Sequence, residues 1–236
     1  MSHLNSLKDR RDNKISAVES SQRDCFIKLL KKIELPEESL ALSVSVGDGI
    51  WDYFSFLNNK NIKKIIATDI VDNPVSQESI SMLKNEGEWE FVKVLADKPL
   101  PFSDNFFNFV FHQDVIEHVE KPFLFLSEQY RILKKGGTLL FGTPNLFRPV
   151  NLFKLILGII KFPLKIGSNI ELGDYIHIQE FYEQQLKVLV QECGFNNIEV
   201  SHCFFGIHPL NITISKYPKN RIGKEMCHYL LFKCIK

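Results

Sequence analysis

Ala41-Leu42-Ser43-Val44-Ser45-Val46-Gly47-Asp48-Gly49-Ile50-Trp51-Asp52 decides how this chain folds. It opens as a short apolar alternation, turns through two glycines and runs into a helical pattern that reaches Leu57. The spacing predicts a strand, a tight loop and a helix N-terminus. Glycine has no Cβ and tolerates positive φ, so such a turn lets a ligand approach bare backbone. The helix start beyond it presents unpaired N–H groups. Ser45, Val46, Gly47, Asp48 and Gly49 are therefore expected to form a ligand cradle.

Working outward, the pattern repeats. Ile62 to Ile70 reads as a second strand, with Asp69 and Ile70 at its end. Asp69 stands about 20 residues past the glycines, where nucleotide-binding βαβ units carry a ribose-binding acid. Further strands are expected at Glu90–Leu95, Phe107–His112, Thr138–Gly142, Ile198–Phe205 and His228–Ile235. Helical patterns separate them at Pro74–Lys84, Lys121–Leu133 and Glu180–Cys193. Lys134-Lys135-Gly136-Gly137 reads as the stop of the second of these, with basic residues suited to a helix C-terminus. Strands alternating with helices at this spacing predict an α/β fold with a doubly wound, mostly parallel sheet. Residues 146–178 break the rhythm and read as an insertion after strand five, and Gly206–Lys224 has no clear period. An N-terminal helical arm covers 1–36, with residues 1–14 frayed. The whole of 1–236 is expected to form one domain.

Composition narrows the classes. Apolar residues make up 44% and the formal net charge is +1, so bulk attraction to nucleic acid is not expected. Five scattered cysteines without a C-x-x-C pair fit reduced thiols in the cytoplasm better than a disulfide framework or zinc site. The polar N-terminus does not read as a signal peptide, and the apolar run Leu155–Ile160 is too short to span a bilayer. No grouping of His, Asp and Glu in the sequence marks a metal site, so none is expected.

A longer run carries more information. It reads Leu100-Pro101-Phe102-Ser103-Asp104-Asn105, then Phe109-Val110, Asp114-Val115-Ile116-Glu117-His118-Val119, Arg131-Ile132-Leu133-Lys134-Lys135-Gly136-Gly137 and Thr143-Pro144-Asn145. With His177-Ile178-Gln179-Glu180-Phe181 and Gly194-Phe195, it resembles the class I S-adenosylmethionine-dependent methyltransferases, in particular the small-molecule group. The resemblance spans about residues 38–205. It implies a Rossmann-like seven-stranded sheet with an antiparallel C-terminal strand. The chain departs from the family's acid-x-Gly-x-Gly-x-Gly loop, with Ser43 at the acid and Ser45 at the first glycine. Asn108 stands where strand four usually begins with aspartate.

The resemblance implies S-adenosylmethionine as cofactor. Asp69 would accept both ribose hydroxyls, Asp97 would lie beside the adenine, and Gln113 and Asp114 would line the methionine portion. Asp114 could equally cap the turn at Val115. A dinucleotide fits less well, because the third glycine of that fingerprint falls at Asp52, whose carboxylate would repel a pyrophosphate. His118 and His177 are the candidate general bases, needed if the acceptor is a hydroxyl and dispensable if it is an amine. His112 reads as structural. A stretch at 152–166 with interleaved lysines suits a lid or a peripheral membrane contact. Members with such an insertion and a His-x-x-x-Phe return resemble those acting on sugars or surface-glycan precursors. A lipid or quinone methyltransferase at a membrane surface is the alternative, as is a non-catalytic cofactor-binding homologue. The acceptor and the oligomeric state stay open.

Overall fold

In the computed structural model of the chain, the described residues are 7, 11, 15–72, 74–96, 98–159, 177–207, 210 and 212–236. Asp97 lies outside them, and so do 160–176, including the end of the 152–166 stretch and most of the loop before His177.

The chain folds as a Rossmann-like α/β sandwich around a seven-stranded sheet. Its strands are β1 (Ser39–Val44), β2 (Ile62–Asp69), β3 (Glu88–Lys93), β4 (Phe107–Gln113), β5 (Leu133–Pro144), β6 (Asn196–Cys203) and β9 (Tyr229–Ile235). A short hairpin, β7 (Phe205–Ile207) with β8 (Ile212–Ser215), stands apart. The order is β3-β2-β1-β4-β5-β9-β6, with β9 antiparallel to both its neighbours and the other pairings parallel. The helices are α1 (Ala17–Leu30), α2 (Ile50–Asn58), α3 (Gln77–Glu86), α4 (Pro122–Ile132), α5 (Pro149–Ile156), α6 (Glu183–Glu192) and α7 (Arg221–Glu225).

Local chemistry accounts for the elements. α1 starts on a reciprocal cap: the Ser16 hydroxyl accepts from Glu19 N, and the Glu19 carboxylate accepts from Ser16 N at 2.9 Å. Along β1 the buried side chains divide between two apolar layers, Ala41 facing one and Leu42 with Val44 the other. Phe26, Leu29 and Leu30 of α1 fill the first layer. Leu126, Ile132, Leu186 and Val190 of α4 and α6 fill the second. A sheet covered on both faces explains the near-continuous apolar runs of its central strands.

Three expectations need correction. Lys134 to Gly137 do not end a helix; they already belong to β5, which pairs from Leu133 onward with a register shift opposite Phe107 and Phe109. Gly136, at φ +76°, takes up the irregularity. Gly206–Lys224 holds β7, β8 and α7 where no element was expected. Within the N-terminal stretch expected to fray, Leu7 is fully buried. All five cysteines are free and buried.

Candidate active site at the strand tips

Strand order reverses between β1 and β4, and in open α/β sheets the ligand crevice lies outside the carboxyl ends of the strands at that point. The glycine turn stands there. Val46 N donates to Thr68 O at 3.0 Å, and Gly47 N donates to Asp69 Oδ2 at 3.3 Å, so the turn is fastened to the tip of β2. Asp69 is 6% exposed, and its other oxygen accepts from Val71 N at 3.1 Å. Asp48 Oδ1 accepts from Ile50 N at the start of α2. The two glycines serve different ends. A Cβ on Gly47 would meet nothing within 4 Å, whereas one on Gly49 would meet Leu83 at 3.0 Å and Leu7 at 3.7 Å. Gly47 thus faces open space, and Gly49 lets α2 pack on its neighbours.

The departures from the family loop now have physical settings. Ser45 adopts φ +57°, the left-handed conformation that favours glycine. Ser43 points toward the buried Asp52 of α2, which is 0% exposed. Burial pushes the Asp52 carboxyl up to about 7, while the Ser43 hydroxyl and the Trp89 indole hold it down in part and Asp48 adds to the rise. Trp89 Nε1 donates to Asp52 Oδ2 at 2.7 Å; Oδ1 has no well-formed hydrogen bond. The Asp52 carboxylate is therefore engaged with β3 inside the protein, and the repulsion of a pyrophosphate expected of it loses its ground. Asn108 sits at the opposite end of β4, where Oδ1 accepts from Leu40 N and Lys134 Nζ. Its departure does not touch the crevice.

Beyond β4, four segments converge. Gln113, buried, accepts from the Tyr229 hydroxyl at 3.1 Å, and its Nε2 is buried without a partner. Asp114 has φ +55°, and its Oδ2 accepts from Gln22 Nε2 of α1 at 3.1 Å. A single 3-10 turn, Ile116–His118, follows. Glu117 is fully buried; Thr143 Oγ1 donates to its Oε2 at 2.9 Å, and its Oε1 has no partner. Burial, then the nearby Asp114 carboxylate, push Glu117 up to about 8.

The return of the insertion docks on this turn. Ile178 N and Gln179 N both donate to Glu117 O, at 2.9 and 3.2 Å. That clip brings His177 to His118, ring centroids 4.9 Å apart and nearly perpendicular. Behind His177, Glu180 Oε1 lies 2.7 Å from its Nδ1. Glu180 is also bound by Arg148 Nη2 at 2.6 Å and Asn151 Nδ2 at 2.5 Å. Burial raises the Glu180 carboxyl, but His177, Arg148 and Asn151 outweigh it and hold it below its ordinary value. A cleft of about 260 Å³ opens beside the group, lined among others by Arg148, Asn151, Lys154, His177 and His228. A wider groove of about 480 Å³ along Phe123, Val188 and Leu189 holds none of these groups.

Ser45 to Gly49 and Asp69 thus stand together at one end of the crevice, with Ile70 following, 37% exposed. Gln113 and Asp114 stand at the tip of β4, and His118 beside His177. His112 is buried between Phe125 and Phe141, with burial lowering it to about 3, as a structural residue should be. Sequence reasoning assigned no role to Glu117 or Glu180, although both fall inside the quoted runs. It also missed Arg148 and Asn151, for which no sequence signal stood out.

A doubly wound sheet of this order, with a glycine turn on β1 and an acid ending β2, has the architecture of a Rossmann-like domain. Residues 42–141 match the family described as a methyltransferase domain. Over that stretch, 100 of the chain's 236 residues, the chain is similar to methyltransferase domains. The ubiquinone/menaquinone biosynthesis C-methyltransferase UbiE of Neisseria meningitidis serogroup C is 29% identical over 137 residues, 55% of this chain and 56% of that protein. The chain thus spans little more than half the length of that relative. An uncharacterized protein of Methanocaldococcus jannaschii is 28% identical over 173 residues, 70% of this chain and 68% of that one. Among solved structures, an S-adenosylmethionine-dependent methyltransferase of Thermotoga maritima has a TM-score of 0.60 at 21% identity, covering 93% of this chain and 91% of its own. A phosphoethanolamine N-methyltransferase of Haemonchus contortus, bound to phosphomonomethylethanolamine and S-adenosylhomocysteine, has a TM-score of 0.62 at 16% identity, covering 95% and 55%. Among the described residues, no helix is long and apolar enough to cross a membrane.

Proposed function

We propose that the chain methylates a hydroxyl or amine of a small acceptor held in the cleft beside His177. When bound, S-adenosylmethionine supplies an already activated methyl group on a sulfonium. The protein's work is to place that group and the acceptor in line and to exclude water. The residues present suit the cofactor. Gly47 has open space before it, Asp69 retains lone pairs for ribose hydroxyls, and the unpartnered Nε2 of Gln113 is a buried donor suited to a carboxylate.

The observation that carries the reading is the His177–Glu180 pair. An ionised Glu180 accepting from Nδ1–H leaves Nε2 as a base directed at whatever enters the cleft. Arg148 on the cleft wall is met by Glu180, but Lys154 beside it favours an acceptor carrying negative charge, such as a phosphorylated sugar or glycan precursor. Calorimetry with S-adenosylmethionine, followed by transfer of labelled methyl to a panel of such acceptors, tests it. Absence of binding at millimolar cofactor would leave the non-catalytic homologue as the better description.

One observation favours a second reading, a lipid or quinone acceptor at a membrane surface. Phe153, Leu155, Ile156, Leu157 and Ile159 on and after α5 are between 54% and 82% exposed, with Lys154 among them. An apolar face rimmed by lysine beside a site mouth suits an interfacial contact.

A further inference from the structure

We propose that Glu117, His118 and His177 bind a divalent transition-metal cation. Each offers one ligand atom, and the three atoms lie within 4.8 Å of one another. Glu117 and His118 come from the turn after β4 and His177 from the far end of the insertion, so only the fold brings them together.

Glu117 Oε1 is a fully buried oxygen with no hydrogen bond, and such an atom is costly unless something positive meets it. His177 is supported as metal-binding histidines are. Its Nδ1 is held by Glu180, which fixes the ring and presents Nε2, and Glu180 is anchored in turn by Arg148 and Asn151. The two hydrogen bonds from Ile178 and Gln179 to Glu117 O hold the two halves of the set in one place.

The donor set selects the cation. Two imidazoles and one carboxylate suit zinc, iron, cobalt or nickel, whereas magnesium and calcium prefer all-oxygen shells. Bonds of about 2.0–2.2 Å put adjacent donors roughly 3–3.5 Å apart, so the set must close by about 1–2 Å. His177, with a third of its side chain exposed, has room to move. Three protein donors leave at least one position open for water or an acceptor oxygen. The cation would then activate a hydroxyl acceptor, and in the metal-loaded protein His177 would act through it as a ligand in place of the base role given above. The site adjoins the acceptor cleft of the reading above through His177, but its chemistry stands on the donors alone.

The test uses untagged, chelator-treated protein titrated with Co²⁺ and followed by its visible ligand-field bands, with S-adenosylmethionine calorimetry run on each sample. One equivalent should bind and be displaced by Zn²⁺. E117Q and H177Q should each weaken binding tenfold or more. E180Q, which leaves all three donors in place but loosens the support behind His177 and the Arg148 ion pair, should weaken it by about 10–100-fold. Retained cofactor affinity in each variant reports an intact fold. H177Q changes a half-buried residue and keeps the proposal testable should E117Q fail to fold. No bands with the unaltered protein, or bands indifferent to E117Q and H177Q, would overturn the site. Cobalt binding without cofactor binding would instead remove the methyltransferase reading and leave the metal site standing.

Discussion

Beneath the glycine turn, Trp89 Nε1 donates to Asp52 Oδ2 at 2.7 Å, joining α2 to β3 through a carboxyl that water does not reach. That carboxyl titrates near 7 in the folded chain and near 3.8 when exposed. The folded state therefore holds a proton that the unfolded state has released, and stability contributed by Asp52 falls as pH rises from about 4 to 7. Asp52→Asn keeps an acceptor for Trp89 and removes the titration. Relative to the parent, it should gain on the order of 3 kcal/mol between pH 5 and pH 8. Urea unfolding at both pH values measures this; a pH-independent difference between the two proteins would refute it.

Ser45 holds a backbone conformation in which its Cβ crowds the following carbonyl. Ser45→Gly relieves that contact, at some cost in unfolded-chain entropy, and should stabilise the protein by about 1 kcal/mol. Its cofactor affinity should equal or exceed the parent's. A lowered thermal midpoint would mean that the serine hydroxyl matters more than the strain.

Asp69 is the acid on which the cofactor pose rests. Asp69→Ala should weaken S-adenosylmethionine binding by about 1–3 kcal/mol, the scale for a hydrogen bond to a charged group. Calorimetry reads it directly, with circular dichroism as the check on folding. Unchanged affinity would place the ribose elsewhere.

The exposed face around α5 separates the two acceptor readings. Ile156, 82% exposed, and Phe153, 64% exposed, touch little else, so Phe153→Asp/Ile156→Asp should fold normally. If the acceptor is a membrane lipid, the unaltered protein should sediment with anionic vesicles and the double variant should not. A protein that stays in the supernatant in both forms removes the motive for that reading.

The sheet was readable because its central strands and α1 obey simple periods, and the glycine turn is local. The hairpin β7–β8 and α7 were not, since strands of three and four residues are too short to establish a period. The β5 extension was hidden by glycines that, in sequence, look like a stop. At the site, Asp69 and Gln113 announce themselves by their place after a strand. Glu117 and Asp52 do not, because an acid in sequence looks solvated until the fold shows it buried. Their partners Thr143 and Trp89 lie in other strands. The meeting of His177 with His118 depends on where a long excursion lands, which no local pattern encodes.

Where that excursion departs and returns, its two feet are tied. Leu146 N donates to Phe181 O at 2.8 Å, Asn145 bridges to Phe181, and the Asn145 amide grips Glu225 O and Cys227 O. A segment knotted at its base can be exchanged without unravelling the sheet that bears it. Grafting the corresponding stretch from another methyltransferase between Leu146 and Glu180 should therefore change what is methylated while leaving donor affinity intact, and natural divergence in acceptor choice has the same route open to it.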